Sequence, residues 1–258
     1  MIEEIRPPIE VERHGAVLVI AINRPERRNA VNRAVSLAMA DALDLLDGDD
    51  DLRVGIVTGR GGTFCSGMDL KAFVDGERPE LEGRGFAGLC EAPPAKPVIA
   101  AVEGYALAGG FELALACDLI VAADNAVFGL PEAARGLVAA SGGLLRLGRR
   151  MPSGIALEYA LTGAPIPAAA AREWGLVNRL VPAGTALDAA LELAAEISAN
   201  APLSTAMTKR IMRESRLWPD DEMFDLQRPL AEPVINSQDA QEGARAFAEK
   251  RAPNWSGK

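Results

Sequence analysis

The sequence has little of the side-chain chemistry on which many enzymes depend. Its 258 residues include one histidine, His14, and three cysteines, Cys65, Cys90 and Cys117. An odd number of cysteines without metal-like spacing favours reduced thiols in a cytoplasm and predicts no metal site. A nucleophilic cysteine usually needs a histidine base, and His14 lies in a predicted hairpin turn. Any catalysis therefore has to use other groups.

Positive charge and long apolar runs are also scarce. Lysine and arginine number 27 against 36 acidic residues, which gives a net charge of −9. This balance argues against a general nucleic-acid or membrane partner, although a local basic cluster can still hold an anionic small ligand. No apolar run reaches the ~18 residues of a membrane helix. The acidic segment 1–15 contains no apolar targeting sequence, so we expect a cytoplasmic protein.

The spacing of apolar residues predicts an α/β fold. A helix is expected at 32–47, with Asn32 as its N-cap. Short strands are expected within 9–22, 53–59, 96–104 and 118–123. Because strands alternate with helices, we expect much parallel pairing.

The length suits a single large α/β domain. From about residue 152 onward the apolar pattern is helical. We expect an α/β core over residues 1–200 and a C-terminal helical region over residues 201–258, although the helical pattern already begins within the core.

The polar stretch 74–88 is the best candidate for a mobile loop. It contains a G-x-G-x-x-G pattern at Gly83, Gly85 and Gly88. Dinucleotide binding requires this pattern between a strand and a helix, and no strand is predicted before it. We therefore do not predict a dinucleotide site.

Two predicted strands end in glycine-containing turns that precede helices. The first turn contains Ser66-Gly67-Met68, and the second contains Ala108-Gly109-Gly110. Glycine lets the backbone approach a ligand closely, and the first amides of a helix attract negative charge. One N–H group from each turn could hold the same oxygen, forming an oxyanion hole that needs neither histidine nor metal.

Glu112 and Glu132 each follow such a turn or a proline, and each has two interpretations. Acidic residues suit the first turn of a helix, where they offset the helix dipole. They could instead be general acid–base groups facing a ligand. Two carboxyls beside an oxyanion hole would supply what the addition of water requires.

These segments resemble the crotonase superfamily, the enoyl-CoA hydratases and isomerases. The resemblance covers nearly the whole chain, and within the family it is strongest to bacterial carnitinyl-CoA dehydratase and its hydratase relatives. The matching segments are 23–32, 61–73, 96–137, 161–163, 173–182 and 246–258. The resemblance implies a crotonase-like spiral of β-β-α units followed by a helical trimerisation region. It also implies a homotrimer or a hexamer built as a dimer of trimers.

The resemblance further implies an acyl-CoA thioester substrate and no separate cofactor, since coenzyme A is part of the substrate. The thioester oxygen would be held by the N–H groups of Met68 and Gly109, with Glu112 and Glu132 as the catalytic pair. The family's CoA-binding positions fall on Arg27, Arg28, Ser66, Gly67, Asp69, Leu70, Lys71, Phe247 and Lys250. Phe247 and Lys250 often reach CoA from a neighbouring subunit in this family.

The sequence departs from the family pattern at three places. Ala108 replaces the first glycine of a common Gly-Gly-Gly, which preserves the main-chain donors. Ala139-Ala140 replace Pro-Gly, and Leu144-Leu145 replace Thr-Gln. The last two changes lie beyond Glu132, and they leave the placement of water and the preferred acyl chain open.

We predict an enoyl-CoA hydratase that acts on a trans-2-enoyl-CoA. The alternatives are a carnitinyl-CoA dehydratase-like enzyme, an enoyl-CoA isomerase and a non-catalytic CoA-binding protein. Isomerisation requires a single base, so the presence of both glutamates favours water chemistry.

Overall fold

A six-stranded sheet forms the centre of the computed structural model, which describes residues 6–258. The part of the amino-terminal prediction that concerns residues 1–5 lies outside the described residues. The strands are β1 (Ile9–His14), β2 (Val17–Ile22), β3 (Val54–Gly59), β4 (Glu80–Leu81), β5 (Gly85–Phe86), β6 (Val98–Val102), β7 (Tyr105–Leu107), β8 (Leu119–Ala123), β9 (Val127–Gly129), β10 (Ile166–Pro167) and β11 (Arg179–Val181).

Ten α-helices accompany these strands within residues 6–258. They are α1 (Arg33–Gly48), α2 (Leu70–Val74), α3 (Gly109–Ala116), α4 (Gly143–Arg150), α5 (Ser153–Thr162), α6 (Ala168–Glu173), α7 (Ala186–Ser198), α8 (Pro202–Glu214), α9 (Met223–Ile235) and α10 (Gln238–Glu249). Short 3-10 turns lie at Pro25–Arg27, Ala133–Arg135 and Ser215–Leu217.

The central sheet has the order β1-β2-β3-β6-β8-β11. Only β1 and β2 pair in antiparallel fashion, and every other neighbouring pair is parallel. All residues of β2 and β6 are buried. Continuous apolar segments of this kind suit parallel strands that are covered on both faces. The predicted α/β architecture with parallel pairing is confirmed.

A second sheet, β10-β9-β7, is built from short strands that follow the long ones. Strand β6 leads to β7 and then to α3, and β8 leads to β9 and then to a helical turn. Strands β7 and β9 pair in parallel. This succession is the β-β-α repeat that the resemblance implied. It places the start of α3 immediately after the second sheet.

Local sequence signals agree with several boundaries. The side chain of Asn32 accepts a hydrogen bond from the N–H of Val35 at 3.1 Å, as expected for an N-cap. The strand predicted at 96–104 is present as the shorter β6, and Gly104 turns the chain with φ +55° between β6 and β7. His14 is exposed at the end of β1, where the hairpin was predicted.

The segment predicted to be a mobile loop contains the small antiparallel hairpin β4–β5. Gly83, Gly85 and Gly88 have positive φ and lie in or just after this hairpin, with no helix following it directly. Gly88 packs so closely on α1 that an added Cβ would lie 2.6 Å from the Ser36 carbonyl oxygen. These glycines therefore serve turns and close packing.

Specific contacts attach α8 and the segment after α10 to the rest of the chain. The ammonium of Lys209 on α8 pairs with Asp118 at 2.6 Å and donates to the Lys96 carbonyl at 2.8 Å. Trp255 donates its indole N–H to the Ala199 carbonyl at 2.8 Å. Neither α8 nor α9 contains a buried residue. The boundary at residue 200 stays a prediction.

Over residues 6–258, no helix has the length and apolar character needed to span a membrane.

Candidate active site

The first glycine turn is held in an extended conformation against Val31. The N–H of Val31 donates to the Gly67 carbonyl at 2.8 Å, and the N–H of Asp69 donates to the Val31 carbonyl at 2.8 Å. Backbone N–H groups of an extended chain alternate in direction, so the N–H of Met68 points away from Val31. Asp69 also caps α2 and pairs with Arg24 at 2.9 Å, which fixes the end of the turn.

The second turn begins α3 with its backbone pressed against its surroundings. Ala108 has φ +51°, so an alanine adopts a conformation that favours glycine. An added Cβ on Gly109 would lie 2.6 Å from the Phe86 ring, and one on Gly110 would lie 2.2 Å from the Cys65 carbonyl oxygen. Only glycine permits these approaches, so the first amides of α3 lie directly against the neighbouring segments.

The two turns meet. The N–H of Leu107 donates to the Cys65 carbonyl at 3.0 Å, and an added Cβ on Gly67 would lie 3.2 Å from the nitrogen of Gly109. Within the described chain, no protein acceptor takes a hydrogen bond from the N–H of Met68 or of Gly109. The structure thus brings the two turns into contact, and the N–H groups of Met68 and Gly109 have no acceptor in the described chain.

Glu112 lies one turn further along α3 and is only 3% exposed. Its Oε1 accepts hydrogen bonds from the N–H groups of Ser141 at 2.7 Å and Gly143 at 2.9 Å. These donors come from the turn that begins α4, with Gly142 in the left-handed region. Burial raises the pKa of Glu112, and the two N–H donors and the Arg146 charge offset part of this rise.

Glu132 precedes the 3-10 turn Ala133–Arg135 and is half-buried. Its Oε2 is buried and has no hydrogen-bond partner among residues 6–258. Burial raises the pKa of Glu132, and the negative charge of Glu112 raises this pKa further. The two carboxyls are therefore electrostatic neighbours. A hydrogen bond also joins the segments that carry the two glutamates. The N–H of Ala108 donates at 2.9 Å to the carbonyl of Gly129, which lies three residues before Glu132.

Exposed aliphatic side chains occur in the segments next to the two glutamates. Leu137 and Val138 follow Glu132, and Leu144 and Leu145 follow the Gly143 amide that binds Glu112. These positions include the departures from the family pattern.

The predicted CoA-binding residues divide into two groups. Arg27, Arg28, Ser66, Gly67, Asp69, Leu70 and Lys71 form one group, because the Arg28 carbonyl accepts from the N–H of Ser66 at 3.0 Å. Phe247, 87% exposed, and Lys250 lie at the end of α10, which packs against α9. No hydrogen bond joins this second group to the first within the described residues.

Several residues of the site were not predicted from the sequence. They are Phe86 against Gly109, the amides of Ser141 and Gly143, and Arg146. A signal for the amides existed, since Gly142-Gly143 precede a helix just as Gly109-Gly110 do. No signal in the sequence identifies Phe86 or Arg146.

The cysteines are free and buried. Burial raises the pKa of Cys65 and of Cys117 to about 12, which keeps both thiols protonated and weakly nucleophilic. Residues 6–258 contain no group of three or more histidine, cysteine or acidic side chains arranged to hold a metal ion.

Comparison with known proteins gives one consistent family. The model of the family described as enoyl-CoA hydratase/isomerase matches residues 12–258. Carnitinyl-CoA dehydratase from Proteus mirabilis is 45% identical over 252 residues, which cover 95% of this chain and 96% of the relative.

Solved structures agree. An enoyl-CoA hydratase from Mycobacterium tuberculosis is 59% identical with a TM-score of 0.97, covering 98% of this chain and 100% of that chain. A carnitinyl-CoA hydratase from Mycobacterium avium is 45% identical with a TM-score of 0.79 over the same shares of the two chains.

Proposed function

The chain belongs to the enoyl-CoA hydratase/isomerase family, and from that premise we propose that it is an enoyl-CoA hydratase. It has the crotonase fold. In the proposed reaction it adds water across the 2,3 double bond of a trans-2-enoyl-CoA. The observation that supports the proposal is a buried carboxyl, Glu112, with the half-buried Glu132 as its electrostatic neighbour, on segments next to two main-chain amides that have no acceptor in the described chain.

The amides of Met68 and Gly109 would hold the thioester oxygen. Hydrogen bonds to this oxygen withdraw electron density from the double bond and stabilise the enolate as it forms. Losing one donor of this kind typically lowers the rate by about 10²–10³-fold. The two turns support this role because they are in contact and their amides have no protein acceptor in the described chain.

The unequal surroundings of the carboxyls suggest a role for each. Glu112, with two N–H donors and Arg146 nearby, is the better supported anion and would take a proton from water. Glu132, whose buried Oε2 has no partner, would be protonated and deliver its proton to C2. The water oxygen bonds to C3, and proton exchange with solvent restores the pair. Dehydration would use the same groups in reverse.

Basic residues would hold the CoA portion. Lys71 is exposed beside the first turn, and Arg27 and Arg28 lie next to Ser66. In an acidic chain these groups supply local positive charge for phosphates. Polarisation of the thioester by main-chain amides needs no metal and no cofactor other than the CoA carried by the substrate.

A homotrimer, or a dimer of trimers, would complete the molecule. Helix α9 supports an interface, since Phe224 is 75% exposed and Ile235 is 69% exposed. Phe247 and Lys250 would then reach CoA in a neighbouring subunit. Light scattering coupled to gel filtration measures the mass, and a monomer would contradict this part of the proposal. The three free cysteines support a cytoplasmic location.

The second candidate is a carnitinyl-CoA dehydratase. It is supported by curated relatives of that name at 45% identity. Both candidate enzymes add or remove water. They differ in the acyl group of the substrate, which the family fold leaves open.

The test is a turnover screen with the purified chain. The substrates are trans-2-enoyl-CoA esters of several lengths, a 3-enoyl-CoA, 3-hydroxyacyl-CoA esters and carnitinyl-CoA, with products identified by mass spectrometry. Glu112→Gln and Glu132→Gln should each lower hydration at least about a hundredfold while remaining folded. Near-normal turnover in both variants would refute the two-carboxyl mechanism. Binding of acyl-CoA without turnover of any ester would indicate a non-catalytic protein.

A further inference from the structure

Arg146 contacts the turn that holds Glu112. It lies on α4 and donates through Nη1 to the Ser141 carbonyl at 3.3 Å. Ser141 therefore gives its N–H to Glu112 and accepts at its carbonyl from Arg146. The guanidinium also covers Gly142, where an added Cβ would overlap Nη1. Arg146 thus stabilises the backbone that supplies the donors of Glu112.

The same guanidinium reaches a second segment of the site. Its Nη2 donates to the carbonyl of Cys90. The N–H of Cys90 donates to the Phe86 carbonyl at 3.1 Å, and the Phe86 ring lies against Gly109. One side chain therefore joins the turn that holds the acid to the segment that packs on the second glycine turn.

The turn has reason to need such support. Gly142 has φ +94°, and glycine loses more conformational freedom on ordering than any other residue. Both N–H groups must point at the same carboxylate oxygen to stabilise its charge. The Ser141 carbonyl lies between the two donor nitrogens along the chain, so fixing it reduces the freedom of both donors.

We propose that Arg146 is a positioning residue of this active site, bracing the Ser141–Gly143 turn against the Cys90 carbonyl so that the turn's two amides stay on Glu112. The inference rests on the proposed hydratase function, in which Glu112 acts as the base. Arg146 does not contact the reacting atoms in this account and acts through Glu112.

The charges around Glu112 make this role measurable. The titratable groups on the segments packed around it are Arg146, Arg149 and Arg150 on α4, Glu132, Cys65, Cys90, Cys117 and Tyr105. Arg149 is exposed, Arg150 donates to the Cys117 and Asp118 carbonyls, and burial raises the pKa of Cys90 and keeps its thiol neutral. Arg146 is the cation that lowers the pKa of Glu112.

The experiment compares the pH profiles of kcat and KM of the full-length wild-type enzyme with those of the variants Arg146→Met, Arg146→Gln and Arg146→Lys. Arg149→Met on the same helix is the matched control. For Arg146→Met and Arg146→Gln we expect kcat to fall about tenfold or more, and the acid limb to move up by about one pH unit. KM should change by less than about threefold, because substrate contacts remain. Arg146→Lys keeps the charge and should retain the wild-type acid limb with a partial loss of kcat. Arg149→Met should match the wild type.

A purely structural role for Arg146 would reduce the amount of active enzyme and leave the acid limb in place. That result, or wild-type kcat in folded Arg146→Met and Arg146→Gln, would overturn the inference. If one of these variants fails to fold, the other uncharged variant decides. If the acid limb does not move and the Glu112→Gln enzyme is inactive, only the role of Arg146 is rejected and the proposed function stands. An active Glu112→Gln enzyme would reject the proposed function.

Discussion

The carboxyl of Glu112 accepts two main-chain hydrogen bonds, whereas Oε2 of Glu132 is buried without a partner in the described part of the chain. Burial raises the pKa of both groups. The difference comes from the elements that surround them. Glu112 faces the amino-terminal amides of α4, and Glu132 stands at a short 3-10 turn. Two residues of one type can thus acquire different protonation through the donors they meet.

The largest effect should come from removing the two acids together. If they form one unit, the double variant Glu112→Gln/Glu132→Gln should lie within about tenfold of the worse single variant, because coupled catalytic groups are non-additive. Single-turnover hydration of a trans-2-enoyl-CoA measures this. Strictly multiplicative losses would instead describe two independent groups.

Next in size is a change that disturbs Glu112 and leaves Glu132 in place. An alanine Cβ at position 143 would lie 2.8 Å from Cγ of Glu112 and 3.0 Å from its Oε1. We expect Gly143→Ala to lower kcat about tenfold to a hundredfold by displacing the carboxylate.

Gly148→Ala is the matched control, because nothing lies within 4 Å of an added Cβ there and the residue is on the same helix. It should retain activity and gain about 0.4–1 kcal/mol of stability. Equal kcat in the two alanine variants would show that the position of the Glu112 carboxylate is unimportant for turnover.

A smaller effect distinguishes the acids by pH. Hydration requires ionised Glu112 and protonated Glu132, so kcat/KM should be bell-shaped, with apparent pKa values that belong to the coupled pair. Because both pKa values are raised, both limbs should lie above the ordinary carboxyl range. In Glu132→Gln, the residual activity should lose its alkaline limb and keep the acid limb. Retention of both limbs would reverse or remove the proposed roles.

The smallest effect concerns stability. A carboxyl whose pKa is raised on folding binds protons more tightly in the folded chain, so it costs stability as pH rises above the unfolded value. A glutamine at position 112 keeps an oxygen for the amides of Ser141 and Gly143 and carries no charge. Glu112→Gln should therefore have a Tm at pH 7 equal to or above that of the wild type.

The same measurement at acidic pH supplies the check. The advantage of Glu112→Gln should vanish below the ordinary glutamate pKa, where the native carboxyl is protonated in both states. A variant less stable than the wild type at neutral pH would mean that the ionised carboxylate stabilises the fold.

Sequence and structure agree best where the signal is local. The helix capped by Asn32 and the strands β2, β3 and β8 were predicted from apolar spacing and a capping residue. The strand after residue 96 was predicted too long, because Gly104 redirects the chain through a positive φ that apolar spacing does not reveal. The assignment of the site residues rested on family resemblance, and it stays a prediction until the variants are measured.

The sequence by itself determined the alternation of strands and helices, the positions of the glycine turns and the presence of two acids in apolar segments. These features depend on neighbouring residues, through side-chain periodicity and the backbone freedom of glycine. Only the tertiary structure decided that the amides of Ser141 and Gly143 reach Glu112 from 29 and 31 residues away, and that Arg146 joins them to Cys90. Burial, donors and nearby charge depend on which distant segments pack together, so the protonation of each acid is a property of the folded chain.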